Sequence, residues 1–400
     1  MNNLSLYLRT LRILKKISLD TVSRNVYMSK SKLYRIELGE ISLNQEDQLV
    51  LYNYYGVQNP RLDTEIKQNI LELLNQLIIN DKHNFEIEYE ISDYNQIMLP
   101  YYMLWNYIVN YWNPQTRNNA LVELGKNLTS IVELMPDIYQ AIFYCLYGFS
   151  FTWSNQYQKA KYYLDKIQTL KYNHELLFAL TNQHYILINY NLEYYYDYFK
   201  LYKETRDIFE KNGAKGRLIK LNTLYANALS KLGFYEECIK LEKEIIAQKN
   251  FIKENTYYIS VHNVGVEYSS IKKYEEALPY HLEVLEYLDN EETRFEVAWC
   301  YYNLDNFIEA KKHLTINKRN YKTNEYTLLC KWLEEMIKKR YSKNCLEILK
   351  RIEKVLEKKP QKESNEFLYI QLMECLEEQN KEKEALKYAK KLVTQYVKVR

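Results

Sequence analysis

Four hundred residues exceed what one ordinary compact core fills, which predicts two or more domains or one elongated repeat array. With 47% hydrophobic and 27% charged residues the chain is not disordered, and 8 Gly with 6 Pro are too few for a turn-rich sheet protein, so long helices joined by short loops are expected. Net charge is +3, yet residues 1–38 hold eight Arg and Lys against Asp20 and Glu37, leaving residues 39–400 at −3; a polyanion would meet the head and not the body.

No apolar run approaches the ~18 residues that span a bilayer. The start, MNNLSLYLRTLRILKK, lacks the basic, apolar, small-residue order of a secretion signal. Cys145, Cys238, Cys300, Cys330, Cys345 and Cys375 form no C-x-x-C pair and sit within helical apolar patterns. They predict buried thiols in a reducing cytoplasm, not disulfides or zinc. The 42 tyrosines are expected to serve helix packing rather than ligand stacking.

The head comes first. Leu4, Leu8, Leu11 and Leu14 recur at helical spacing and predict a helix to about Lys15. Ser18 is placed to cap a short second helix ending near Val26, with Asp20 in its first turn. Ser29 caps a third, KSKLYRIEL, which stops at Gly39. A fourth runs from about Gln45 to Tyr55, closed by Gly56-Val57, and Asn59-Pro60 breaks the chain.

Two helices joined by a three- or four-residue turn, the second with a basic exposed face, describe a helix-turn-helix. The pattern resembles the phage-repressor and Cro-like family in Arg12, Ile17-Ser18, Ser29, Ser31, Leu33, Arg35-Ile36-Glu37-x-Gly39 and Tyr55-Gly56-Val57. The resemblance implies a structural ion pair between Arg12 and Glu37, a fork fixing the first helix against the third. It also implies that Lys30, Ser31 and Arg35 face base edges, with Lys32 and Tyr34 nearer phosphates. Arg24 and Lys16 would add phosphate contacts that position without specifying. Val22-Ser23 and Tyr27 stand where the family prefers a small residue and a glycine, so the turn is expected to be built differently.

Beyond the head (residues 1–60), residues 61–80 read as a connector helix. Ile66, Ile70, Leu73 and Leu77 form a narrow seam that would pack on the body or pair with a second copy. Residues 80–97 are polar and read as irregular; Leu99 to Trp112 is strongly apolar. A repeat then emerges: a small residue, an aromatic about nine positions on, then x-x-Ala. It reads Gly148…Tyr157…Ala160, Ala226…Tyr235…Cys238, Gly265…Tyr274…Ala277 and Ala298…Phe307…Ala310. A weaker copy ends at Ala385, and degenerate ones fit near Phe199 and Leu346. This resembles tetratricopeptide repeats, helix pairs of about 34 residues that stack into a right-handed solenoid with a concave face. The fold expected is all-α, with the solenoid occupying residues 81–400.

No nucleotide, dinucleotide or zinc-protease motif occurs. Gly213 and Gly216 flank a basic turn that reads as an interhelical loop. His262 and His281 share a repeat but not a metal-ligand spacing, and no nucleophile motif appears. The reading is no enzyme, no metal and no cofactor. On the concave side, Asn227, His262, Asn263, Trp299 and Asn303 are read as exposed and placed to bind a peptide. The asparagines offer donor and acceptor to main-chain amides, and Trp299 offers cover for an apolar side chain.

A helix-turn-helix head joined to such a body resembles the peptide-responsive transcriptional regulators of Gram-positive bacteria, the RRNPP-type quorum-sensing family. The resemblance implies a cytoplasmic homodimer that binds double-stranded DNA, takes a short linear signalling peptide in its groove and does not enter a membrane. Two other readings stay open: a protein-interaction scaffold with a vestigial head, and a phage lysis–lysogeny peptide receptor of the same architecture.

Overall fold

Polar side chains start the helices of the head. In the computed structural model, which describes residues 3–80, 94–113, 119–192, 194–252, 254–314, 325–357 and 366–398, α1 (Asn3–Leu14) buries Leu6, Tyr7, Leu8 and Leu11. The hydroxyl of Ser18 accepts from the Thr21 N–H at 3.1 Å to open α2 (Leu19–Val26). Ser29 does the same for the Lys32 N–H at 3.2 Å to open α3 (Lys30–Glu37), and Asn44 for Asp47 at 2.7 Å to open α4 (Gln45–Tyr55). Each cap satisfies one of the N–H groups that a helix start leaves without a partner. Gly56, at φ +68°, closes α4 in the left-handed region that glycine adopts freely.

The chain divides into two compact units, Met1–Leu224 and Tyr225–Arg400. In the first, the apolar seam read as a connector becomes α5 (Ile66–Asn80). It buries Ile66, Ile70, Leu73, Leu74, Leu77 and Ile78 and packs on α6 (Leu99–Trp112) and, further along the chain, α10 (Glu175–Asn191). The head is not a separate bead. Its α1 packs on α6 and on α7 (Asn119–Val132), and Tyr7 donates its hydroxyl proton to the Tyr94 carbonyl. A short bridge ties Arg61 to the 95–97 strip, with Arg61 N–H to Asn95 O at 2.7 Å and Ile97 N–H to Arg61 O at 2.9 Å. The stretch 80–97 read as irregular falls mostly outside the described residues.

Helix pairs complete both units. The first adds α8 (Asp137–Ser150), α9 (Tyr157–Ile167) and α11 (Tyr195–Lys211) to α10, and α12 (Lys215–Lys231) carries the boundary. The second holds α13 (Tyr235–Ile246), α14 (Glu254–Ser270), α15 (Tyr274–Tyr287), α16 (Glu291–Asn303), α17 (Phe307–Leu314), α18 (Glu325–Lys338), α19 (Lys343–Leu356), α20 (Glu366–Glu378) and α21 (Glu382–Lys398). The all-helical, repeat-built expectation holds; no strand occurs among the described residues.

The repeat has a backbone signature as well as a side-chain one. Asn155, Gly233, Lys272, Asp305, Tyr341 and Asn380 all take positive φ, and each stands five residues before a repeat position: Ala160, Cys238, Ala277, Ala310, Leu346 and Ala385. Around most of them the same two bonds recur, as in Phe234 N–H to Leu229 O at 2.9 Å with Gly233 N–H to Ser230 O at 2.9 Å. This is the left-handed helix stop that satisfies the last carbonyls and turns the chain back. The small residues then allow close approach: a Cβ on Gly148 would meet Ala160 O at 3.1 Å, and one on Gly265 would meet the His281 ring at 2.8 Å. No described helix is long and apolar enough to cross a membrane.

Candidate functional site

In the head, α2 and α3 are joined by Tyr27-Met28-Ser29. Tyr27 takes φ +53° and is 96% exposed, standing in the conformation a glycine would favour, while Met28 is buried beneath it. Ser23 Oγ donates to the Met28 carbonyl at 2.5 Å and closes the turn from below. On α3, Lys30, Ser31, Tyr34 and Arg35 are exposed and Lys32 is half-buried. Lys16 and Arg24 are exposed too. The α3 cations have carboxylate partners: Lys30 with Asp20 at 3.1 Å, Lys32 with Asp47 at 2.6 Å and Arg35 with Glu40 at 3.1 Å. Arg12 and Glu37 form a two-point fork, Nε to Oε1 at 2.6 Å and a terminal nitrogen to Oε2 at 2.8 Å. Glu37 holds the guanidinium pKa above its ordinary value.

A cavity of about 960 Å³ opens between α9, α10, α11 and the 167–174 loop. Five of its residues lie on one stripe of α10: Glu175, Phe178, Asn182, Tyr185 and Asn189, at alternating steps of three and four. Asn182 and Asn189 are 5% and 4% exposed. The Nδ2 of the first and the Oδ1 of the second have no hydrogen-bond partner among the described residues. A buried amide left without partners is destabilising, and native structures rarely keep one without a use. Other wall residues are hydrogen-bonded. The Tyr185 hydroxyl donates to Asp165 Oδ1 at 3.0 Å, Gln168 Nε2 donates to the Tyr185 oxygen at 3.2 Å, and His174 caps α10 through Leu177 N–H at 3.1 Å. Burial pushes the Tyr172 hydroxyl up to about 12, so it stays protonated. Sequence reasoning missed this site. Its stripe lies on a helix that buries polar residues such as Thr181, Gln183 and His184 as well as apolar ones, so no sequence pattern sets it apart.

In the second unit the five positions read as peptide contacts are half-buried rather than exposed. In a stack of helix pairs the first helix has neighbours on both flanks. Adjacent His262 and Asn263 on α14 therefore reach in different directions: His262 Nε2 lies 2.8 Å from Glu296 Oε1 on α16, and Asn263 Nδ2 donates to Glu242 Oε1 on α13 at 2.8 Å. Asn303 donates to the Trp299 carbonyl one turn back, at 2.8 Å. Trp299 stacks between Phe295 and Tyr302, with ring centroids 6.2 and 5.7 Å away, and meets Phe367 edge-on at 5.2 Å. Asn227 is half-buried on α12.

Burial raises the Glu242 and Glu267 carboxyls. Burial would raise Glu296 too, but His262 and His281 outweigh it and hold the group down at about 2. His262, Glu292 and Glu296 each bring one ligand atom within 4.8 Å of the others.

No family model matches the sequence, and no curated protein matches it. Solved structures do share its fold. The apo form of RapI is 16% identical with a TM-score of 0.60, over 84% of this chain and 95% of that one. The apo form of the quorum sensor NprR from B. thuringiensis is 18% identical with a TM-score of 0.60, over 83% and 99%. A Rap protein complexed with competence and sporulation factor is 15% identical with a TM-score of 0.50, over 84% and 94%. The resemblance read from the sequence and these likenesses point the same way: the chain has the all-helical, tetratricopeptide-like fold of RapI and the quorum sensor NprR.

Proposed function

We propose that this chain is a cytoplasmic DNA-binding regulator whose helical body receives a short linear signalling peptide. The observation that carries the DNA half is the row Lys30, Ser31, Tyr34 and Arg35, exposed on a short helix capped by Ser29 and anchored by the Arg12–Glu37 fork. Such a helix-turn-helix suits the major groove, with Lys30, Ser31 and Arg35 at base edges and Lys32, Tyr34, Arg24 and Lys16 toward phosphates. A homodimer would place two such helices on two half-sites.

The peptide half is supported by the α9–α11 cavity and its two unpartnered asparagines. In the second unit, Asn227, His262, Asn263, Trp299 and Asn303 are proposed as further contacts. His262, Asn263 and Asn303 would each have to exchange an internal hydrogen bond for one to the peptide.

One observation favours a second reading, a protein-interaction scaffold with the head as a cap: the α3 cations are already paired with carboxylates. The Lys30–Asp20 and Arg35–Glu40 pairs are exposed, and such pairs are worth ~0–1 kcal/mol, so phosphates can displace those two carboxylates. Fluorescence anisotropy of the full chain against fragments of its host genome separates the readings. Salt-sensitive binding lost in a Lys30→Ala/Arg35→Ala variant supports the regulator. Absence of any salt-sensitive binding removes it. Mass spectrometry of small peptides that co-purify with the chain from its native host tests the peptide half.

A further inference from the structure

We infer that His262, Glu292 and Glu296 form a binding site for a divalent transition-metal ion of the zinc class. His262 comes from α14, while Glu292 and Glu296 stand one turn apart on α16 and share a face. The three donor atoms lie within 4.8 Å of one another, and all three residues are half-buried. A tetrahedral ion with ligands at about 2.1 Å sets its donors about 3.4 Å apart. His262 Nε2 and Glu296 Oε1 are already 2.8 Å apart, so small side-chain rotations close the set.

A second, independent observation points to a cation. His281, 1% exposed, brings Nδ1 to 3.3 Å from Glu296 Oε2, an ion-pair distance, yet neither atom makes a hydrogen bond among the described residues. His281 Nε2 is 3.1 Å from Ser269 Oγ. His281 faces the Glu296 carboxylate from the core side, and because the Nδ1–Oε2 contact is not aligned as a hydrogen bond, Glu296 keeps lone-pair capacity for a cation, with His281 as the outer residue that orients the ligand. Tyr326 plays the same part for Glu292, donating its hydroxyl proton to Oε1 at 2.5 Å. Ordered ligands of this kind hold a metal more tightly than free side chains do.

The donor chemistry selects the ion. One imidazole and two carboxylates, with no thiolate, suit zinc, cobalt, iron or manganese, whereas calcium and magnesium take oxygen ligands alone. Three protein ligands leave a fourth position for water. The ion would tie α14 to α16 and so join successive repeats. The ligands are far apart in the sequence and lie on separate helices, so no spacing motif reveals them. The inference rests on neither the DNA nor the peptide reading.

The test uses the full chain stripped with EDTA and titrated calorimetrically with zinc chloride, with magnesium and calcium chloride in parallel. The expected result is one zinc per chain, a raised Tm, and no comparable heat from magnesium or calcium. Glu292→Gln keeps an acceptor for Tyr326 and should lower zinc affinity at least ~10-fold, as should His262→Gln. Cobalt(II) in the wild-type chain should give ligand-field bands without a thiolate charge-transfer band, which decides the matter even if both variants unfold. Absence of saturable zinc binding, unchanged affinity in a folded Glu292→Gln chain, or a thiolate band placing the metal on cysteine overturns the inference.

Discussion

Arg12 and Glu37 meet as a parallel two-point fork, at 2.6 and 2.8 Å, between the end of α1 and the end of α3. Only 17% and 7% of their side chains is exposed. Arg12 also reaches the Ile17 carbonyl at 3.3 Å, so one guanidinium fixes both the turn after α1 and the last residue of α3. Glu37→Ala leaves that cation half-buried and unpaired. Loss of a fully buried partner costs roughly 3–5 kcal/mol, and this partly exposed one should come out lower in that range or just beneath it. Thermal denaturation followed by amide exchange in α1–α4 should show the head opening first. Normal exchange protection in the variant would assign the fork no structural part.

The carboxylates beside the α3 cations make a second prediction. Asp20 and Glu40 sit 3.1 Å from Lys30 and Arg35 on an exposed surface. Each must be displaced before a phosphate or base edge can take its place. Asp20→Asn with Glu40→Gln should therefore tighten DNA binding and steepen its salt dependence, because the freed cations release more counterions. Arg35→Ala should weaken binding by ~1–3 kcal/mol at one base pair. Anisotropy at three salt concentrations reads both effects. Weaker binding in the double amide variant would count against α3 as the DNA-facing helix.

Glu242 is fully buried on α13, accepts from Asn263, and has its second oxygen without a partner among the described residues. Burial raises its pKa. A carboxyl raised in the folded state favours folding most at acid pH, and that advantage is lost as pH rises through the raised value. Glu242→Gln keeps the acceptor for Asn263 and removes the charge. The variant should be more stable than wild type above the raised titration, by ~1 kcal/mol, the scale of one desolvated polar group. The difference should shrink as pH falls toward the ordinary carboxyl range. Melting curves across that range check it; a constant difference at all pH values would mean that ionisation of Glu242 is not its source.

Much of the fold could be read from residues, for reasons that divide by physical kind. Helix caps are local, so Ser18, Ser29 and Gly56 announce α2, α3 and the end of α4 without tertiary knowledge. Repeat alanines such as Ala160, Ala277 and Ala310 are spaced by stacking geometry and show as a period. The half-burial of Asn263 and Trp299 could not be read, because it depends on which neighbour flanks α14 and α16. The α10 cavity was hidden more deeply. Asn182 and Asn189 belong to a helix that is buried almost all round, polar residues included, and periodicity cannot separate a buried amide with a partner from one without. Tyr27 was the opposite case: its place in the turn was visible, but its left-handed conformation is set by the Ser23–Met28 closure beneath it.

Those two asparagines make the sharpest prediction for the peptide. They stand seven residues apart on α10, about 10 Å along the helix axis at 1.5 Å per residue. An extended chain advances ~3.3 Å per residue, so that distance matches about three peptide residues. Among the described residues Asn182 carries an unpaired donor and Asn189 an unpaired acceptor, both closed to solvent in the free chain, so each side chain would rotate toward the cavity to meet a carbonyl and an N–H of one extended strand. Packed helices carry both groups, so little ordering accompanies binding. Asn182→Ala and Asn189→Ala should each weaken the peptide identified by co-purification by ~1–3 kcal/mol, because each leaves a desolvated main-chain group unpaired. The double variant should lose more than either alone. Neither removes a hydrogen bond from the free protein, so helicity and Tm should hold or rise slightly. Asn227→Ala measured beside them reports whether the second unit also contacts the ligand. Calorimetry on the full chain decides it: wild-type affinity in both α10 variants, with folding intact, would take the peptide out of this cavity.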